Sequence, residues 1–206
     1  MKNQTQLSAC FYIMNGVEVL DFAGPMEVFA LAGFHVFTVA LTKGVVRSQG
    51  ILNVLPDYDI TDVPKANVLA VFGGNPASFR NETLINWIRT YEQQADHIFS
   101  VCSCAFALGH AGLLDGLQAT TFHSRIEELR TAFPKVTVFS GVRFVDNGRI
   151  ITTAGISAGI DGALHLVSRL KGEAAAKAVA EEMEYDKWIP NEGLITKTKQ
   201  TILYKM

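Results

Sequence analysis

The sequence predicts an α/β fold in which a mostly parallel sheet is covered by helices on both faces. Short apolar runs rich in β-branched and aromatic residues alternate with helical patterns along most of the chain. Some of these runs, such as Asn67–Phe72, are apolar almost throughout, as strands buried on both faces are. The composition supports a full core: of 206 residues, 49% are hydrophobic and 18% charged, which excludes intrinsic disorder. At this length the expectation is one domain over residues 1–206.

Taken in order, Leu7–Met14 reads as the first strand and Gly24–Ala32 as a helix with Pro25 in its first turn. Phe34–Leu41 is a second strand. Val45–Ser48 and Ile51–Leu55 form a small hairpin around Gln49-Gly50. The strand Asn67–Phe72 ends on Gly73-Gly74. Asn81–Gln94 is an amphipathic helix, with Leu84, Ile85, Trp87, Ile88 and Tyr91 on or near one face. His97–Val101 is a strand running directly into a helix over Ser103–Leu113. Gln118–Thr121 reads as a short strand and Arg125–Ala132 as a helix stopped by Pro134. Val142–Val145 and Arg149–Thr152 flank Asp146-Asn147-Gly148, a hairpin turn signal. Helices Ala158–Leu170 and Glu173–Met183 follow, separated by Lys171-Gly172, and Lys197, Lys199 and Lys205 read as a solvated end.

Charge and hydropathy exclude several function classes. A formal charge of −2 and a pI near 6.2 leave no basic surplus to displace counterions from nucleic acid. No run approaches the ~18 apolar residues of a membrane helix, and the apolar stretch Ala9–Met14 is too short for a secretory leader. Three cysteines give no disulfide framework. The expectation is a soluble, cytoplasmic protein.

In a parallel sheet, ligands sit outside the carboxyl ends of the strands, so the strand-to-helix junctions are where chemistry is sought. At Ser100-Val101-Cys102-Ser103-Cys104-Ala105 a strand turns into a helix without a loop and a cysteine stands on the turn. This is the pattern of a nucleophile elbow, with sulfur in place of a hydroxyl. A thiol at a helix start meets unpaired N–H groups and the positive end of the dipole, which favour its thiolate. A buried structural cysteine is equally compatible with this segment alone. At Phe72-Gly73-Gly74-Asn75 the glycines allow bare N–H groups to approach a ligand, although an ordinary turn has the same composition. Asp21 stands just ahead of the expected helix at Gly24-Pro25, as a cap or as a general acid.

The remaining candidates carry less. The five histidines, at 35, 97, 110, 123 and 165, lack metal-ligand spacing, so no metal is expected. Cys102 and Cys104 are two apart on the expected helix and do not face each other, which disfavours a disulfide. Gly155 to Asp161 lacks the glycine order of a dinucleotide loop.

Taken together and in this order, the junctions resemble the ThiJ/PfpI superfamily, and within it the isonitrile hydratase branch. They are also similar to the amidotransferase-like sensor domain of some AraC-type regulators. The stretches that carry the resemblance are Leu20–Phe29, Gly73-Gly74, Ser100–Ser103, Leu108–Thr121 and Thr153–Asp161. The resemblance implies a flavodoxin-like three-layer sandwich with a nucleophile elbow, usually a homodimer with the active site near the dimer interface. By the same resemblance Cys102 matches the nucleophile and Asp21 its acidic partner. Gly74 and Ser103, with Gly73 beside them, match the oxyanion site, and Ile156 lines the pocket opposite.

The chain departs from the family pattern at three places. Cys104 replaces a common glycine, and Phe72 replaces a proline before the glycine pair. Phe122-His123 stands where relatives often read His-Trp, which on a strand would turn His123 to the opposite face. Cys104 and His123 are therefore secondary candidates.

The resemblance implies hydration of an isonitrile to an N-substituted formamide through a Cys102 thioimidate, with protonated Asp21 as acid and no metal or organic cofactor. One rival is a non-enzymatic redox or ligand sensor in transcriptional regulation, with Cys102 oxidised to a sulfinate held by Asp21. Because the sequence ends at Met206, direct DNA binding by appended helix-turn-helix modules is not expected. The other rival is a glyoxalase- or amidase-like thiol hydrolase. Phe22, Phe72, Phe106, Phe122 and Ile156 suggest an apolar pocket for a small-molecule substrate or ligand, which favours the isonitrile reading over a polar dicarbonyl.

Overall fold

A computed structural model describes residues 6–190 and 192–196; the lysines at 197, 199 and 205 lie outside them. The main sheet has eight strands: β1 (Ser8–Tyr12), β2 (His35–Ala40), β5 (Tyr58–Asp59), β6 (Val68–Val71), β7 (His97–Val101), β10 (Phe144–Asp146), β11 (Ile150–Thr153) and β12 (Leu194–Ile195). Their order is β12-β10-β11-β7-β6-β1-β2-β5. The six strands from β11 to β5 run parallel, and β10 reverses against β11. Two minor sheets pair β3 (Val46–Arg47) with β4 (Asn53–Val54) and β8 (Gln118–Ala119) with β9 (Thr137–Val138).

The helices are α1 (Val19–Leu31), α2 (Glu82–Tyr91), α3 (Ala105–His110), α4 (Ile126–Ala132), α5 (Ala158–Lys171) and α6 (Glu173–Glu182). Alternation along β1 assigns them to layers. Phe11 packs on Phe29 of α1 with ring centroids 5.9 Å apart, whereas Tyr12 points to the other face and meets Trp87 of α2 at 5.4 Å. α5 and α6 join α1 on the first face, and α3 joins α2 on the second. α5 lies close on the sheet because Gly162 leaves no side chain there: a Cβ would sit 2.4 Å from Thr153 and 3.0 Å from Phe99. The fold is thus the expected sandwich, and its central strands are buried except at the first residues of β1 and β7.

Several boundaries differ from those read in the sequence. α1 starts at Val19, five residues before the expected Gly24, so Pro25 lies inside the helix and Asp21 in its first turn. A proline is tolerated there at the loss of one intrahelical bond, to the Asp21 carbonyl. The expected helix Ser103–Leu113 begins as a 3-10 turn over Cys102–Cys104 and continues as the six-residue α3. The two-residue strands β5, β9 and β12 are too short to carry a period and were not expected. The strand expected over Gln118–Thr121 ends at Ala119, and it pairs in a minor sheet rather than the main one.

Candidate active site

The carboxyl ends of the four adjacent central strands converge at one place. β7 delivers Cys102, β6 delivers Gly73-Gly74, β11 delivers Ala154-Gly155-Ile156, and the segment after β1 delivers Asp21. The chain crosses from one side of β1 to the other between β2 and β6, so this is also a topological switch point.

Cys102 sits on the turn with φ +62°, a left-handed conformation that costs a non-glycine residue about 1–3 kcal/mol. Neighbouring groups hold it there. Its N–H donates to Ala154 O at 3.1 Å, and its carbonyl accepts from the Thr121 hydroxyl at 2.8 Å. Two glycines make room for the thiol. A Cβ at Gly73 would stand 2.6 Å from Asp21 Oδ2 and 2.9 Å from Cys102 Sγ, and one at Gly155 would stand 3.1 Å from Sγ. Ile156, at φ +59°, is the second strained residue of the site.

Asp21 is completely buried and, among the described residues, has no cation beside it. Its Oδ1 accepts from the Ile156 N–H at 2.8 Å and its Oδ2 from the Gly73 N–H at 3.1 Å, and the Cys102 thiol lies beside it. Burial pushes the carboxyl up to about 6; the Ile156 N–H and the Cys102 thiol pull it down, and the charge of Glu18 adds to the rise. Burial also pushes the Cys102 thiol up to about 12, reinforced by the Asp21 charge and opposed by the Ser103 N–H and hydroxyl. The helix-start donors, which favour a thiolate, therefore do not outweigh burial at this sulfur. Both shifts run toward the protonated form, so the thiol stays protonated beside Asp21 at neutral pH.

A cavity of about 580 Å³ adjoins this pair. Gly155, Ile156 and Phe122 belong both to its wall and to the surroundings of the dyad.

A model of the DJ-1/PfpI family matches residues 7–169. The chain belongs to the DJ-1/PfpI family. It is 34% identical over 178 residues to an isonitrile hydratase of Pseudomonas putida, covering 85% of this chain and 77% of that protein. It is 25% identical over 200 residues to the HTH-type transcriptional regulator GbdR of Pseudomonas aeruginosa. That match covers 93% of this chain but 54% of the regulator, so the chain spans about half its length. Among solved structures, a ThiJ/PfpI family protein from Pseudomonas syringae superposes with a TM-score of 0.82 at 28% identity, covering 90% of this chain and 77% of the other.

Within this DJ-1/PfpI fold, the residues singled out in the sequence fall into three groups. Asp21, Gly73, Cys102, Ser103 and Ile156 meet at the elbow. The Gly73 N–H is committed to Asp21, whereas the Gly74 N–H has no hydrogen bond among the described residues and is free to donate. Cys104 is fully buried behind the elbow, and burial raises its thiol well above the usual range. Among the described residues all three cysteines are free.

His123 is not on a strand, so the expected turn to the opposite face does not arise. It opens a 3-10 turn, lines the cavity beside Phe122, and has no hydrogen bond to Cys102 among the described residues. Of the five apolar residues expected to shape the pocket, Phe22, Phe72 and Phe106 are core, and Phe122 and Ile156 line the cavity. Two contributions lacked a signal in the sequence reading: the Ser103 hydroxyl at the sulfur and the Thr121 hydroxyl at the elbow carbonyl. Ser103 was singled out only for its backbone. No helix among the described residues is long and apolar enough to cross a membrane.

Proposed function

We propose that the chain is an isonitrile hydratase-like enzyme in which Cys102 and Asp21 work as a proton-sharing pair. The observation that carries this reading is a buried carboxylate, held by the Gly73 and Ile156 N–H groups with no cation among its neighbours, beside the thiol at the elbow. The 34% identity to an isonitrile hydratase supports the substrate class.

Asp21 takes the thiol proton as sulfur attacks the terminal isonitrile carbon, and then delivers it to that carbon. The product is a thioimidate, R–N=CH–S–Cys102. Water adds across the C=N bond, and the C–S bond breaks. This releases the formamide R–NH–CHO and returns the proton to the sulfur. The Gly74 N–H, unpaired among the described residues, would stabilise the developing charge. A carboxyl near 6 is a suitable relay because it gives the proton up as readily as it takes it.

Formamide production from an alkyl isonitrile, followed by mass spectrometry, tests the reading. Cys102→Ala is expected to lower turnover by a factor on the order of 10⁴ or more. Turnover that survives in this variant overturns the assignment of Cys102.

A second reading is a ligand-sensing role in transcriptional regulation, favoured by the similarity to the regulator GbdR over 93% of this chain. It predicts saturable ligand binding without turnover. Sensing by oxidation is less well supported, because a thiol raised to about 12 presents little thiolate to peroxide. In either reading we propose a homodimer. The β3–β4 hairpin leaves Ile51, Leu52 and Leu55 exposed, and sedimentation velocity reads the assembly.

A further inference from the structure

The cavity beside the dyad is apolar over much of its wall, through Phe122, Ile126, Val142 and Ile156, but it also carries a polar cluster. Its wall includes His123, Arg143, Ser140 and Ser157, and no acidic residue lines it. Arg143 is held rigidly. Its Nε donates to Asp161 Oδ2 at 2.7 Å, and Nη2 donates to the same oxygen and to Ser157 Oγ at 3.2 Å. Asp161 is almost fully buried and is fixed in turn by the Tyr185 hydroxyl on Oδ1 at 3.0 Å. These bonds occupy the Nε edge of the guanidinium. Nη1 has no hydrogen-bond partner among the described residues, and the side chain is about one-third exposed at the cavity. A guanidinium aimed by a buried carboxylate, with donors to spare, is pre-organised for a second anion.

We propose that Arg143 anchors a carboxylate carried by the substrate at the end away from its reacting carbon, which makes the preferred substrate class isocyano carboxylates. This rests on the thiol-addition reading above, since that reading supplies the reacting carbon. The cavity, at about 580 Å³, falls within the range of about 300–1,000 Å³ usual for small-molecule sites. Phe122 and Ile156 would cover the apolar part of such a molecule between the anchor and the sulfur.

The test compares isocyanoacetate with methyl isocyanoacetate in the full chain. Arg143→Gln alone strands the buried Asp161, so the variant of choice is the double substitution Arg143→Gln with Asp161→Asn. The wild type is expected to favour the carboxylate by about tenfold in kcat/KM, the effect of one hydrogen bond to a charged group. The double variant is expected to lose that preference through KM, with the ester unchanged. Equal treatment of acid and ester by the wild type, or equal loss on both in the variant, overturns the anchor.

N-formylglycine binding to Cys102→Ala, measured by calorimetry with and without the double substitution, separates the two claims. If binding depends on Arg143 but no isonitrile is consumed, the anchor stands and the hydratase reading falls. If isonitriles are consumed but N-formylglycine binds alike in both backgrounds, the anchor falls and the hydratase reading stands.

Discussion

Asp21 and Asp146 are both essentially buried, at 0% and 1% exposure, yet they are held in opposite ways. Asp21 lies at the carboxyl edge of the sheet, where it accepts two backbone N–H groups and faces a thiol. Asp146 lies at the other edge, as the last residue of β10 before the turn into β11. There His165 Nε2 meets its Oδ2 at 2.7 Å, Arg169 Nη1 reaches both oxygens at 3.0 Å, and the Gly148 N–H donates to Oδ1 at 2.6 Å. Burial alone would raise both carboxyls. At Asp146 the histidine, the Gly148 N–H and the arginine outweigh it and hold the carboxyl below its usual range. At Asp21 nothing cationic does so, and the carboxyl rises to about 6. A fully compensated carboxylate keeps its charge and ties elements together, whereas an uncompensated one is left with a proton it can exchange near neutrality.

The largest effects follow from exchanging the two roles. Asp146→Ala strands His165 and Arg169 and is expected to cost about 3–5 kcal/mol in urea unfolding, with turnover per folded molecule retained. Asp21→Ala is expected to abolish turnover at a much smaller cost in stability. If the two variants behave alike in both assays, the distinction between them breaks.

The next effect sharpens the contrast through pH. The folded-state pKa of Asp21 is raised, so the stability it contributes is fully present below its unfolded value and is lost as pH rises through about 6. Between pH 4 and 7 the wild type should lose about 2 kcal/mol relative to Asp21→Asn, most of what a shift of about two pH units is worth. Taking the difference between the two unfolding curves removes the opposing trend from His97, whose pKa is lowered by burial. Parallel curves would show that Asp21 is not perturbed.

The smallest effect concerns the elbow itself. Thr121→Val removes the donor to the Cys102 carbonyl and is expected to cost about 1 kcal/mol in stability, with kcat down several-fold and KM unchanged. An unaltered kcat would mean that the left-handed turn at Cys102 is held without Thr121.

Much of the site was legible because strand ends and glycines mark it. The buried runs of β6 and β7 point to Gly73-Gly74 and Cys102, and the family resemblance supplies Asp21. The start of α1 was misread because Pro25 suits a first turn, and only packing against α5 shows that the helix continues through it. The Asp146 cluster was read as a hairpin turn and an isolated histidine. Its one local signal is that His165 and Arg169 stand four apart on α5 and so share a face. Arg143 and Asp161 are eighteen residues apart on different elements, and no sequence period connects them. The pKa of Cys102 was not legible, because a helix start is visible in sequence, whereas the depth of burial and the neighbouring carboxylate are properties of the folded chain.

The central claim is that Asp21 and Cys102 share one proton. The most direct test is the rate of iodoacetamide alkylation at Cys102 against pH, resolved by peptide mass, in the wild type and Asp21→Asn. The account predicts a wild-type thiol that ionises well above the ordinary value of ~8.5 and reacts slowly at neutral pH. It also predicts that removing the Asp21 charge lowers the thiol pKa and speeds alkylation. A thiol with an ordinary or depressed pKa, indifferent to Asp21, would contradict it.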